Sequence, residues 1–115
     1  MSFETFASGT ITADGTEQTL AEIDEATRIS GYLSLANMQA GDTLVIRQYF
    51  NLGTAYERYE EDSYSDSQSD PIVYFTTKEI ASSTKITIQQ TAGVYRDFDY
   101  EFIKEEEVVG AGFVV

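Results

Sequence analysis

In one stretch after another the apolar residues of this chain fall at every second position, and a period of two belongs to β-strands. The clearest case is residues 29–50. Ile29, Gly31, Leu33 and Leu35 alternate with Ser30, Tyr32 and Ser34, so Ile29, Leu33 and Leu35 share one face. Farther on, Leu44, Ile46, Gln48 and Phe50 share one face, and Thr43, Val45, Arg47 and Tyr49 share the other. Between them lies NMQAGD, residues 37–42, whose Asn, Gly and Asp supply turn chemistry. The spacing predicts two antiparallel strands joined by a loop longer than a two-residue hairpin. The succession Leu44-Val45-Ile46 predicts that the second strand is central and packed on both faces.

The same reading extends along the chain. Residues 3–12 mix aromatic and β-branched side chains and read as a first strand. Asp14-Gly15 marks a turn over 13–16. Residues 17–24 read as a strand with Leu20 and Ile23 inside, although Leu20, Ile23 and Ala26 are also spaced for a helical turn. Asn51-Leu52-Gly53 bends the chain. Residues 54–64 form a carboxylate-crowded strand with an exposed far end, and 65–71 form a loop that ends at the sole proline. Residues 72–77 make a short apolar strand, 78–83 a turn, 84–91 a strand and 94–103 another. About eight short strands at intervals of roughly 8–12 residues predict an all-β, antiparallel β-sandwich of jelly-roll type. The core is expected to hold Leu33, Leu35, Leu44, Ile46, Ile86, Ile88, Phe98 and Phe102.

At 115 residues the chain makes one domain, 1–115. A domain of that size buries roughly two-thirds of the surface its unfolded chain exposes. Twenty acidic residues against seven basic ones give a net charge of −13, which repels nucleic-acid phosphates and anionic membranes. No apolar run approaches the about 18 residues of a membrane-spanning helix. The N-terminal MSFETFASG lacks the basic start and apolar run of a signal peptide, so synthesis in the cytoplasm as a soluble protein is expected.

Cysteine and histidine are both absent. That removes thiolate metal sites, the Ser–His triad and the commonest general base. Asp97, Asp99 and Glu101 lie on one face of a single strand, which reads as a solvent face rather than a catalytic pair across a cleft. No cofactor is expected and the chain does not read as an enzyme. The carboxylates of 57–70 include Asp62, Asp66 and Asp70, weak candidates for a calcium site because the spacing lacks the alternating ligands and central glycine of an EF-hand loop. A solvated acidic surface is the plainer reading. Tyr49, Tyr56, Tyr59 and Tyr64 suit either a sugar- or protein-binding face or ordinary half-buried strand positions. Arg28, Arg47 and Arg96 are expected to pair with carboxylates at the surface.

Three segments carry a family resemblance: GTITADGTEQTL at 9–20, GYLSLANMQAGDTLVIRQYF at 31–50 and IQQTAGVYRDFDYEF at 88–102. Together they resemble a family of small virion-type structural proteins of tailed bacterial and archaeal viruses. The resemblance spans most of the chain; the ends and the acidic stretch 54–71 depart from it. It implies a fold and a structural role, as capsid decoration or cement or as a head or tail appendage, and it transfers no active-site residue. A carbohydrate- or calcium-binding module on the same scaffold is the alternative. The partners implied are further copies of the chain, in a trimer or other cyclic oligomer, and the major capsid or tail proteins; the place of action is the virion. Val108, Val109, Phe113, Val114 and Val115 form an apolar end split by Gly110-Ala111-Gly112. They are the candidate partner-binding residues, with docking on the chain's own sandwich as the other possibility.

Overall fold

The computed structural model describes residues 2–106. They form eight strands: β1 (Ser2–Thr12), β2 (Gln18–Asp24), β3 (Thr27–Ser34), β4 (Thr43–Asn51), β5 (Tyr56–Ser65), β6 (Ile72–Ile80), β7 (Ser83–Ala92) and β8 (Asp97–Glu106). All strand pairs are antiparallel, and no helix occurs among the described residues. One sheet has the order β1-β8-β3-β6 and the other β2-β7-β4-β5. The first strand thus pairs with the eighth, the second with the seventh, the third with the sixth and the fourth with the fifth. That is one long antiparallel ribbon rolled onto itself, the jelly-roll arrangement of a β-sandwich.

The period-2 pattern decides which side chains lie between the sheets. Leu33, Leu35, Leu44, Ile46, Ile86, Ile88, Phe98 and Phe102 are all at most 2% exposed. Ala13, Leu20, Ala21, Met38 and Phe75 complete the same cluster. A smaller group of Ile23, Ile29 and Ile80 packs with Phe6 and Phe50. Burying each large apolar side chain stabilises the fold by roughly 1.5–3 kcal/mol. Phe102 sits at the centre, with Phe75 at 5.2 Å and Phe6 and Tyr100 at 6.4 Å between ring centroids. It lies directly over Gly31, where a Cβ would meet its ring at 2.2 Å. Glycine interrupts the apolar alternation of β3 because the ring occupies that space.

Three expectations are corrected. The strands of the 29–50 stretch do not pair: β3 lies in one sheet and β4 in the other. The connection carries apolar side chains of its own, Leu35 and Met38, each 1% exposed. Burying them takes the chain across the end of the core instead of back along β3. There Leu35 donates its N–H to the Pro71 carbonyl at 2.7 Å. Next, β4 is indeed an inner strand, between β7 and β5, but only one of its faces is buried. Val45, Arg47 and Tyr49 are half-buried on the outer face, where Arg47 bonds Glu61 and Gln89. Last, β6 runs on to Ile80 and β8 begins only at Asp97. In β6, Thr76 and Thr77 face a single residue, Ser30, forming a bulge that breaks the alternation and turns Lys78 inward.

Candidate functional site

The loops β1–β2, β3–β4, β5–β6 and β7–β8 gather at one end of the sandwich and are bonded to one another. Ala13 N–H donates to the Arg96 carbonyl at 3.0 Å, and Asp66 N–H to the Asp42 carbonyl at 2.8 Å. Asn37 Nδ2 donates to the Asp97 carbonyl at 2.9 Å, and Gly41 N–H to Asp66 Oδ1 at 2.8 Å. At the centre is Asp42, 1% exposed. Its carboxylate accepts Arg96 Nε at 2.7 Å, Gln39 N–H at 2.9 Å and Val94 N–H at 3.0 Å. The Arg96 hydrogen bond and then the backbone donors hold its pKa below the ordinary value of 3.8. Gln90, also 1% exposed, donates to the Ala92 and Val94 carbonyls and accepts Arg96 N–H at 3.0 Å. Gly93 has φ +89°, and a Cβ there would stand 2.0 Å from Asp42 Oδ1. Both backbone and space therefore require glycine.

Apart from Asp66, which lies in the departing stretch 54–71, the residues of this knot belong to the three segments that carry the family resemblance. NMQAGD supplies Asn37, Gln39, Gly41 and Asp42, and QTAGVYR supplies Gln90, Gly93 and Arg96. The β1–β2 turn adds Gly15, whose carbonyl accepts Gln89 Nε2 at 3.0 Å. Asp14 shapes that turn by accepting Thr16 N–H at 2.9 Å. Chemically the knot is closed on itself: the donors around Asp42 are used in holding loops together.

The calcium candidates are not brought together. Asp62 is exposed on β5, Asp66 holds Gly41 from a left-handed conformation (φ 66°), and Asp70 is exposed in the β5–β6 loop. Among the described residues, no three Asp or Glu side chains form a group that could hold a metal ion. Asp97, Asp99 and Glu101 line up on the outer face of β8 as expected, where they accept the hydroxyls of Thr12, Thr10 and Thr5 on β1. The candidate partner-binding residues Val108, Val109, Phe113, Val114 and Val115 lie outside the described residues.

A second feature lies on the side where the two sheets part, between the edge strands β5 and β6. A groove of about 190 Å³ is floored by Ile46, Val73 and Phe75 and rimmed by Glu60, Asp62, Tyr64 and Lys78. The Asp62 carboxyl beside Glu60 raises the Glu60 pKa above the usual 4.5, by hydrogen bonding first and then by burial and repulsion. Lys78 opposite is lowered by burial. Tyr59 stacks on Phe50 at 4.5 Å and donates its hydroxyl to Gln48 Oε1 at 2.9 Å. Burial, with the charge of Glu60, pushes Tyr59 up to about 12. Here an amine and two neighbouring carboxyls border an apolar floor.

Glu60 favours its protonated form in the fold, so its contribution is present below pH 4.5 and is lost as pH rises through the raised folded value. Glu60→Gln is therefore expected to stabilise the protein at pH 7, by no more than about 0.5 kcal/mol because the pair is solvated. The gain should vanish below about pH 4, where wild-type Glu60 is protonated. Urea titrations at the two pH values check this; a loss at pH 7 would show that Glu60 serves Lys78 more than it strains against Asp62.

The four tyrosines of interest do not share one face. Tyr49 and Tyr56 lie on the outer side of the second sheet and bracket Lys85 Nζ, at 5.0 and 4.7 Å from their ring centroids. Tyr49 donates to Glu17, and Tyr56 donates to Glu22 at 2.8 Å. Burial and the Glu22 carboxylate push Tyr56 up to about 12. Tyr59 and Tyr64 instead turn toward the groove side. Arg28 pairs with Glu79 and Glu105 and Arg47 with Glu17 and Glu61, as expected, whereas Arg96 pairs with the buried Asp42 and not at the surface. The sequence reading missed the Tyr32–Tyr74 pair on the outer face of the first sheet, with centroids 5.1 Å apart and each ring about half exposed. Its signal was the register of β3 on β6, which strand patterning does not contain. No protein-family model matches the chain, and the search of curated proteins finds no match.

Proposed function

We propose that this chain is a structural subunit of a virus particle, a capsid decoration or a head or tail appendage, acting through contacts with copies of itself and with the capsid or tail protein. The observation that carries this reading is the use made of the three resembling segments. Their residues tie three loops into one buried node around Asp42, and Asp66 of the departing stretch joins the fourth loop to it. A motif spent in that way specifies a rigid shape. The jelly roll is a fold that builds shells, as well as lectins and other modules, so the role rests on the resemblance more than on the fold. The proposal assigns no reaction and no cofactor. The alternative, a carbohydrate-binding module, draws on the groove, where carboxylates and Tyr64 stand over an apolar floor.

The test is to purify particles of the virus whose genome encodes the chain and to probe them with an antibody raised against it. The expected result is the chain in stoichiometric amount in intact particles, in the same gradient fraction as the major capsid protein. Particles free of the chain would overturn the proposal. Retention of the purified chain on a glycan array, lost on Asp62→Ala, would favour the alternative.

A further inference from the structure

The four sheet edges are not alike. An edge strand offers a row of unpaired backbone groups, and soluble proteins protect such rows with charge, bulges or glycine. Strand β5 carries Glu57, Arg58, Glu60, Glu61 and Asp62. Strand β2 carries Glu22 and Asp24. Strand β1 has an irregular register between Thr5 and Ala7 and a glycine at φ 142° in its middle. Strand β6 keeps its guards at one end, the bulge at Thr76–Thr77 and the inward Lys78, and leaves Ile72–Phe75, IVYF, without charge, bulge or glycine, every residue aromatic or β-branched. Among the described residues it is an outer strand of its sheet, and Ile72 and Tyr74 are 54% and 50% exposed.

We propose that β6 pairs with β6 of a second copy of this chain, antiparallel about a two-fold axis at Tyr74, joining two four-stranded sheets into one of eight. Charge favours a copy as the occupant. In a molecule of net charge −13, Ile72–Thr77 is a neutral stretch bounded by Asp70 at one end and Lys78 at the other. Antiparallel pairing lays the two neutral stretches against each other, where two acidic copies repel each other least. The side chains also match themselves. An axis at Tyr74 sets Val73 against the partner's Phe75 on the groove side. On the outer face it brings the two Tyr74 rings together. Each Tyr74 already packs on Tyr32 of its own sheet, so the interface becomes a row of four rings. The contact is isologous and closes at two copies. The inference does not rest on the particle reading: copies found in particles but not joined through β6 would sink it alone, and a free dimer missing from particles would sink the other alone.

The test is sedimentation equilibrium of the full chain, with circular dichroism to verify folding of each variant. The wild type is expected to be a dimer. Tyr74→Lys sets two like charges across the axis and should weaken dimerisation by about tenfold or more. It does so although it reduces the net negative charge, which by itself would ease association. Ile72→Lys, away from the axis, should act in the same direction and covers the case that Tyr74→Lys does not fold. Ser63→Lys on β5 should leave the dimer unchanged. A monomeric wild type overturns the proposal, as does an oligomer that neither the Tyr74 nor the Ile72 variant weakens. A monomer that dimerises only when residues 107–115 are removed also overturns it, assigning the edge to the chain's own tail.

Discussion

Phe102→Ala is expected to cost about 3–5 kcal/mol, a large share of the stability of a domain this size. The ring is fully buried on β8, an inner strand, and touches the rings of Phe6, Phe75 and Tyr100. Those partners come from β1, β6 and β8 itself, so shrinking the side chain leaves a void that no single neighbour can fill. Gly31 lies beneath the ring and has no side chain with which to close the gap. Urea unfolding followed by tyrosine fluorescence measures the loss. A change below about 1 kcal/mol would show that the sheets collapse onto the site, contrary to the packing described. Filling the gap from below is no remedy in the wild type: Gly31→Ala presses a methyl group into the Phe102 ring and should itself destabilise by roughly 1–3 kcal/mol.

Asp42→Asn should cost about 3 kcal/mol, at the low end for a broken buried ion pair because the Arg96 side chain is still 26% exposed. The variant nearly keeps the size of the carboxylate but removes its charge, and its amide presents donors to a site built from donors. The pH dependence separates this from mere misfit. In the folded protein the Asp42 pKa is depressed below 3.8, so the contribution of its charge is complete above that value. It is lost as pH falls through the lower folded value. The stability gap between wild type and Asp42→Asn should accordingly be constant near neutrality and narrow in strong acid. A gap that persists undiminished at the lowest pH would mean that shape, not charge, is what Asp42 provides.

The strands were legible because alternation is local. Leu44, Ile46 and Gln48 share a face whatever β4 pairs with, and all three are buried. Partner choice was not legible for the same reason. Nothing within residues 29–50 says that β3 binds β6 and β8 while β4 binds β5 and β7. The loop read as a turn because Asn37, Gly41 and Asp42 are turn residues, which they are. That Asp42 is also a buried anchor depends on Arg96, 54 residues farther on. Arg96 in turn looked like a strand residue in register with Phe98. Its backbone N–H goes instead to Gln90, and Val94 N–H goes to Asp42, so β8 cannot begin before Asp97. In β6, Lys78 and Glu79 looked like turn chemistry because the bulge at Thr76–Thr77 hid the continuing alternation. The groove was illegible altogether, since it exists only where β5 and β6, the outer strands of different sheets, leave a gap.

The place of β8 also sets an order in time. It lies between β1 and β3, yet it follows every other described strand in sequence. During synthesis β3 can find β6, and β4 can find β5 and then β7, but β1 has no strand in its own sheet to bond until β8 is made. The contact of Thr12 with Asp97 closes a stretch of 85 residues (97 − 12). The entropy of closing it grows only logarithmically with length, so distance alone is a modest obstacle. Waiting is the greater one. For most of translation Phe6 and Ile11, which finally pack against the core, have no cover from β8. The eight polar or small residues among the eleven of β1 help to keep it in solution over that interval.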